Sequence, residues 1–499
     1  MRHSMKYIIG IDIGTSGTKS VLFDTLGNVI ASSSAEYPMM QPNNGWAEEN
    51  PIDWWEATKK TLKELYAYVT DGEVAGIGLS GQMHSLVLLD KNNEVIRPAI
   101  LWCDQRTKEE CIEIENLIGK ERLIEITANP ALPGFTASKI MWVKRHEPEN
   151  FKRTAHVLLA KDYVRYRLTG EYVTDMSDAS GMQLLDVPRR KWSEELCEAL
   201  GIDTSLLPRL AESPEISGYL SNEAAEQTGL KAGIPVAAGG GDNASAAIGV
   251  GVCKAGGAFT TIGTSGVVFA PTDTPVIDPK GRVHTFCAAV PGTWHVMGVT
   301  QAAGLSLSWF KKTLAPELTY KEIDDMCKSV AIGADGLIYL PYLMGERTPI
   351  LDSNARGVFF GLSAIHTKAH MARAVLEGIS YSLLDCLEVL RQMNLSVDDM
   401  AICGGGAKSD LWQTMLSDVY GIGVKTTISS EGAALGAAIL GGCAGGVFSS
   451  VTEACDAIIK EKSKTLPNSD ATLKYASIYS IYKSIYPGLK ACFAELSKI

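Results

Sequence analysis

The feature that most constrains this chain is a pentapeptide that occurs twice. Ile13-Gly14-Thr15-Ser16-Gly17 stands within "IIGIDIGTSGTKSVLFD" (8–24), and Ile262-Gly263-Thr264-Ser265-Gly266 within "FTTIGTSGVVFAPTD" (259–273). In each copy an apolar, β-rich run enters a small-residue turn and leaves through a second apolar run, the pattern of strand, tight turn and returning strand. The second copy begins just past the middle of the 499 residues. A hairpin repeated at that interval implies duplication into two related lobes, which fits ~100–200 residues per domain.

Between the hairpins, short apolar runs that end in glycine or turn residues ("EVAGIGLSG", "PVAAGGG", "GLIYLPYL", "MAICGGG") alternate with amphipathic stretches. "NPIDWWEATKKTLKELYAYV" places Trp55, Leu62, Leu65 and Tyr66 at helical spacing. "SDLWQTMLSDVYG" starts on a capping Ser409 and stops at Gly421. Strands alternating with helices predict an α/β fold of two lobes with mixed sheets. The small-residue segment 247–258 puts the division near residue 250, giving lobes 1–250 and 251–499, with 451–499 read as a helical tail.

Composition removes several classes of function. Fifty-seven acids against 46 bases leave a net charge of -11, which repels nucleic-acid phosphates and anionic membranes. The uncharged stretch from Gly432 to Val451 is too rich in glycine and alanine for a membrane span and reads as a close-packed core helix. Eleven scattered cysteines with no C-x-x-C spacing predict neither a disulfide framework nor a zinc site, and a reducing, cytoplasmic setting is expected.

Five constellations carry chemistry. Gly14–Lys19 and Gly263–Gly266 offer consecutive backbone N–H groups, hydroxyls and, in the first copy, Lys19; two such turns facing each other would grip a polyphosphate, although an ordinary hairpin turn has the same composition. Asp12, between Ile11 and Ile13, needs a cation or donors, and either Mg2+ beside phosphates or the following turn supplies them. Asp242 follows three glycines and opens a small-residue helix, where it can act as a proton acceptor or as a plain cap. Residues 78–107 gather Gln82, His84, Trp102, Asp104, Gln105 and Arg106 at strand ends, a set suited to a hydroxyl-rich ligand. The triplet Gly404–Gly406 before the Ser409 helix can seat a flat group and a phosphate, or simply connect strand to helix.

Taken in order over residues 6 to 445, these pieces resemble the FGGY carbohydrate kinases. "GFTASKIMWVKRH" (134–146) is similar to that family's first signature and "GVFFGLSAIHTKAHMARAVLEG" (357–378) to its second; "GQMH", "RPAILW", "GGGDNA" and "PYLMGERTP" resemble its xylulokinase branch. The resemblance implies two actin/hexokinase-like (ribonuclease H-like) lobes around a cleft, and ATP- and Mg2+-dependent phosphorylation of D-xylulose to D-xylulose 5-phosphate. It implies Asp242 as base and Asp12 as the residue that organises Mg2+, with Asp242 sharing the ion through water. Met83, His84, Asp104 and Asn243 would face the sugar; Thr15, Ser16, Lys19, Gly263, Thr264, Gly405, Gly406 and Ser409 would face the nucleotide. Sugar and ATP are the implied partners, with a second copy of the chain as a homodimer. The chain departs from the branch at Cys103, where asparagine is common, and at Ser85, where glycine is common, and Met-His-Ser is similar to gluconate-kinase relatives. A kinase for another sugar, polyol or sugar acid, and an actin-like nucleotide switch, are the alternative expectations.

Overall fold

The computed structural model describes residues 5–70 and 72–498. Each pentapeptide is the turn of an antiparallel hairpin at the centre of a sheet. Met5–Ile13 pairs with Gly17–Asp24 around the first turn, and Gly256–Ile262 with Gly266–Thr272 around the second. The first sheet runs Ile216–Tyr219, Pro235–Ala237, Gly72–Gly81, Met5–Ile13, Gly17–Asp24, Val29–Glu36, with the two-residue strand Gly240–Gly241 also beside Gly72–Gly81. The second runs Glu461–Thr465, Gly423–Thr427, Val397–Gly404, Gly256–Ile262, Gly266–Thr272, Trp294–Thr300, His284–Cys287.

Strand directions repeat as well. On the side away from its hairpin partner, each leading strand has a parallel neighbour, then a second parallel strand, then an antiparallel edge. The two lobes are thus copies of one topology. Helices cover the sheets where the apolar period demands it: Pro51–Tyr66 starts with Asn50 accepting from the Ile52 amide and buries Trp54, Trp55, Leu62 and Leu65. Asp410–Tyr420 is capped by Ser409 and stopped by Gly421 in the left-handed region.

One helix crosses the sequence division. Gly432–Ala444, from the second half, lies on the first lobe's sheet and against the helix Asp242–Gly249, and Val451–Ile458 follows it into the same core. Glycine makes this possible. A Cβ on Gly78 would stand 1.8 Å from the Ala437 carbonyl oxygen, one on Gly10 1.9 Å from that of Ala434, and one on Gly436 1.8 Å from that of Ser245. The first part of the uncharged stretch, Gly432–Ala444, is therefore a core helix with backbone packed against backbone at its glycines. Among the described residues no helix is long and apolar enough to cross a membrane.

The tail departs from the sequence expectation. Glu461–Thr465 is an edge strand of the second sheet, and only then does the long helix Ser469–Leu496 begin. Its tyrosines pack on the helix Lys368–Gln392: the Tyr479 hydroxyl donates to Asp385 (2.6 Å), and Arg373 donates to the Tyr475 hydroxyl (2.7 Å). The strand escaped notice because "EKSKT" is polar throughout and is held by edge pairing rather than by burial.

The packing gives a paired prediction. Gly78→Ala forces the Gly432–Ala444 helix off the sheet and should lower stability by about 3 kcal/mol or more, the upper range for overpacking. Gly488→Ala, exposed in the last helix with open space around it, should instead gain up to ~1 kcal/mol. Thermal or denaturant unfolding reads both; equal effects would contradict the close approach.

Candidate functional site

The leading strand of the first lobe sets Asp12 by register. Asp12 lies opposite Lys19 on one neighbouring strand and Ser80 on the other, at the level where the first turn begins. Burial raises its carboxyl pKa, while Ser80 and Lys19 pull it back. Lys19 is ion-paired with Glu431, at the cap of the Gly432–Ala444 helix, so it joins the first turn to the second half of the chain.

Asp242 is the first residue of the helix Asp242–Gly249, just past Gly240–Gly241, which pair with Ser80 and Gly81. Each glycine before it has a reason. Gly239 has φ +87°, a Cβ on Gly240 would meet the Ser245 hydroxyl at 2.8 Å, and one on Gly241 would meet Met83 at 2.9 Å. The Gly241 amide donates to the Ser177 hydroxyl (3.0 Å), which donates to Asp175 (2.5 Å), itself 2.9 Å from the fully buried Lys161 ammonium. The strand end that carries Asp242 is thereby fixed to a buried ionic cluster.

The Asp242 pKa is raised to about 6, first by burial and then by the charge of Asp12, against hydrogen bonds from the Asn243 amide (2.7 Å) and side chain (3.0 Å). A helix N-terminus alone would favour the ionised form; here desolvation and the like charge outweigh it.

Two cavities meet at the second turn. The first, about 260 Å3, is lined by Met83, His84, Trp102, Phe135, Asp242, Asn243, Gly263, Ser265, His284 and Arg347. The second, about 750 Å3, is lined by Gly263, Thr264, Gly405, Gly406, Ser409 and the helix residues Tyr320 and Asp324. Gly263 belongs to both. Its carbonyl and that of Thr264 accept from the Gly304 and Leu305 amides (2.8 and 3.1 Å), which pins the turn to a helix start. The Ser409 hydroxyl accepts from the Trp412 amide (3.1 Å).

His84 has φ +69°, and its carbonyl is held by Lys139 Nζ (2.8 Å) and Thr136 Oγ1 (3.1 Å). Its Nδ1 faces the Gly181 carbonyl at 3.0 Å, an acceptor, so Nδ1 carries the proton and Nε2 is left as an acceptor. Burial and the nearby Lys139 and Arg347 charges keep the ring neutral. Trp102 Nε1 donates to Thr15 Oγ1 (3.0 Å), which donates to Gln82 (3.3 Å), so the first turn is linked to the cavity wall, while Ser16 is exposed at the tip of that turn.

Not every expected residue reaches a cavity. Asp104 is fully buried, and its carboxylate is consumed by Arg106 and the Ala47 amide (2.6 Å), so the expectation that it faces the sugar is corrected. Two departures from the branch pattern also lie off the cavity: Cys103 packs against the first lobe's apolar core, and Ser85 is buried. Conversely, Arg347, His284 and Phe135 line the first cavity without having been singled out. Arg347 lies within "PYLMGERTP", a signal noticed only as a family likeness, and His284 sits in a strand with no local mark.

Two lobes of one topology, with a small cavity that carries His84, Asp242, Asn243 and Arg347 on a largely apolar wall and meets a larger cavity at a glycine turn, define a phosphotransferase of the actin/hexokinase-like fold. The FGGY family of carbohydrate kinases matches through its N-terminal domain at residues 7–249 and its C-terminal domain at 258–445. The chain belongs to the FGGY family of carbohydrate kinases. It is 43% identical over 488 residues to a xylulose kinase of Bacillus subtilis, covering 97% of this chain and 98% of that protein. It is 41% identical to a xylulose kinase of Lactococcus lactis, covering 97% of each. The structure of a ligand-bound xylulose kinase from Lactobacillus acidophilus superposes with a TM-score of 0.94 at 30% identity, covering 98% of this chain and all of that one.

The electrostatics predict a titration. Asp242 should lose its proton near pH 6, and Asp12→Asn, by removing the like charge, should lower that midpoint. Carboxyl-carbon NMR of aspartate-labelled protein, with Asp242→Asn to assign the signal, measures both. A midpoint unmoved by Asp12→Asn would separate the two carboxylates.

Proposed function

We propose that this protein transfers the terminal phosphoryl group of ATP to the terminal hydroxyl of D-xylulose, with Asp242 as general base. The observation that carries the reading is a carboxylate with a pKa of about 6 on the wall of the small cavity, which meets the large cavity at Gly263. The names of the relatives supply the sugar.

The sugar occupies the small cavity, with His84 Nε2 accepting from a hydroxyl and Asn243 beside the reacting end. Asp242 takes the proton of the terminal hydroxyl as its oxygen attacks; the new O–P bond forms, the bond to the β-phosphate oxygen breaks, and ADP leaves. Above pH 6 the base is mostly ionised, so kcat/KM should rise with pH through that value and level off. The nucleotide occupies the large cavity, its adenosine against Gly405 and Gly406 and its phosphates between the turns at Thr15–Ser16 and Gly263–Thr264, with Lys19 at the rim.

The donor set suits Mg2+. The Asp12 charge acts on Asp242, and no group of three or more ligating side chains exists among the described residues. Mg2+ characteristically takes one or two carboxylates and completes its shell with water and phosphate oxygens. When bound there, the ion neutralises charge on the phosphates.

The test is a coupled ADP-release assay with xylulose, ribulose, xylitol and gluconate, followed by single-turnover measurements on Asp242→Asn. Xylulose should give the highest kcat/KM. The variant should lose ~100-fold to 10,000-fold in the chemical step with little change in melting temperature, because asparagine keeps the size of the side chain and Asp242 makes no helix-cap bond. Near-native single turnover by the folded variant would remove Asp242 as base, and absence of xylulose-dependent ADP release would remove the reaction.

A further inference from the structure

Glu49 is a buried acid that the transfer reaction leaves without a role. It is 1% exposed, on the two-residue strand Glu48–Glu49, opposite Ala99 and just before the helix Pro51–Tyr66. Its Oε2 accepts from Trp54 Nε1 and from Gln82 Nε2, both at 2.8 Å, while its Oε1 is buried with no partner among the described residues. Gln82 is buried too. Its backbone amide donates to the Ile13 carbonyl (2.8 Å), which carries the pairing of the two central strands up to the first turn.

The hydrogen bonds that start at Glu49 can run in one direction only. An indole N–H donates and never accepts, so Trp54 makes Oε2 an acceptor whether or not the acid carries a proton on Oε1. Burial pushes the Glu49 carboxyl up to about 7, against the pull of its two donors. Gln82 must therefore turn its NH2 to Glu49 and its side-chain carbonyl to Thr15, whose hydroxyl donates to it at 3.3 Å. At the far end Trp102 Nε1 donates to the same Thr15 oxygen at 3.0 Å. Thr15 thus has its proton committed to Gln82, and Trp102, which lines the small cavity, is tied to the first turn. An indole at each end fixes the direction of every bond between them.

We propose that Glu49 is a positioning residue for phosphoryl transfer: it is the fixed acceptor that orients Gln82, and through Gln82 and Thr15 it locks the first turn to Trp102 on the wall of the small cavity. This rests on reading that turn as the phosphate site and that cavity as the sugar site. Glu49 itself lines neither cavity. What it supplies is a single arrangement of the Thr15 hydroxyl, which keeps turn and cavity wall at one spacing while the attacking oxygen and the phosphate align.

The experiment is single-turnover phosphorylation of xylulose at saturating ATP and sugar, with Gln82→Met and Trp102→Phe made singly and together. Each single change should slow transfer roughly tenfold, the scale of one buried hydrogen bond. The double variant should be about tenfold faster than the product of the single losses, because both changes break one chain. Glu49→Met should show the same shortfall when combined with Trp102→Phe, although three hydrogen bonds separate the two residues. Glu49→Gln, which keeps the acceptor, should retain most of the native rate. A second readout needs no turnover: the indole N–H NMR signal of Trp102, assigned by its loss in Trp102→Phe, should shift in Gln82→Met and in Glu49→Met. Single variants at the native rate, losses that multiply in the folded double variant, or an unmoved Trp102 signal overturn the proposal. If Glu49→Met does not fold, the Gln82 and Trp102 pair and Glu49→Gln decide, and a Glu49→Gln protein slowed tenfold overturns it. If the native protein transfers nothing to xylulose, the reading of the cavities fails, and the Trp102 signal still tests the chain.

Discussion

The contact of the Gly432–Ala444 helix with the first sheet is the constraint on which the cleft depends. Gly10, Gly76 and Gly78 bring strand backbone within reach of helix backbone, and Gly436 does the same for the helix that carries Asp242. At these glycines main chain meets main chain directly, and Leu435, Ile439 and Leu440 pack around the contacts in one apolar core with Ile8 and Phe23. A helix from the second half of the chain is thereby seated inside the first lobe. Its cap residue Glu431 holds Lys19 beside the first turn, and its body supports Asp242. The position of both carboxylates follows from a packing whose closest contacts are main chain against main chain.

On that frame the duplicated topology divides its labour. Ile13 is level with Gly81 in the first lobe, and Ile262 with Gly404 in the second. The segment that follows, Gln82-Met83-His84 in one lobe and Gly405-Gly406 in the other, occupies the same topological place. In the first lobe it carries side chains to the small cavity; in the second it is bare backbone beside the large one. Asp12 and Asp242 both belong to the first lobe, and the charge of Asp12 adds to burial in raising the Asp242 pKa. Burial first, and that like charge second, bring the Asp242 pKa up to about 6.

What was legible in the sequence is what local chemistry marks. A carboxylate inside an apolar run exposed Asp12, three glycines before an acid exposed Asp242, and helical period, with Ser409 as cap in one case, placed two helices correctly. What was not legible depends on distant partners. Asp104 looked like a sugar contact because it stands at a strand end beside tryptophan, but Arg106, two residues on, closes a pair with it inside the protein. Arg347 carried no local mark, since its place on the cavity wall is set by a loop that Glu346 fixes through Thr300 and Gln301. The uncharged Gly432–Val451 stretch declared a packed helix, yet nothing in it told which lobe it would join.

The central claim is that both turns and Asp242 converge on one transfer path. A crystal structure with a non-hydrolysable ATP analogue, Mg2+ and xylulose tests it most directly. The account predicts the terminal hydroxyl of the sugar within ~3 Å of the Asp242 carboxylate, and the terminal phosphate between Gly14–Thr18 and Gly263–Gly266 in line with that oxygen. A nucleotide held by one turn alone, or a sugar whose terminal hydroxyl points away from Asp242, would contradict it.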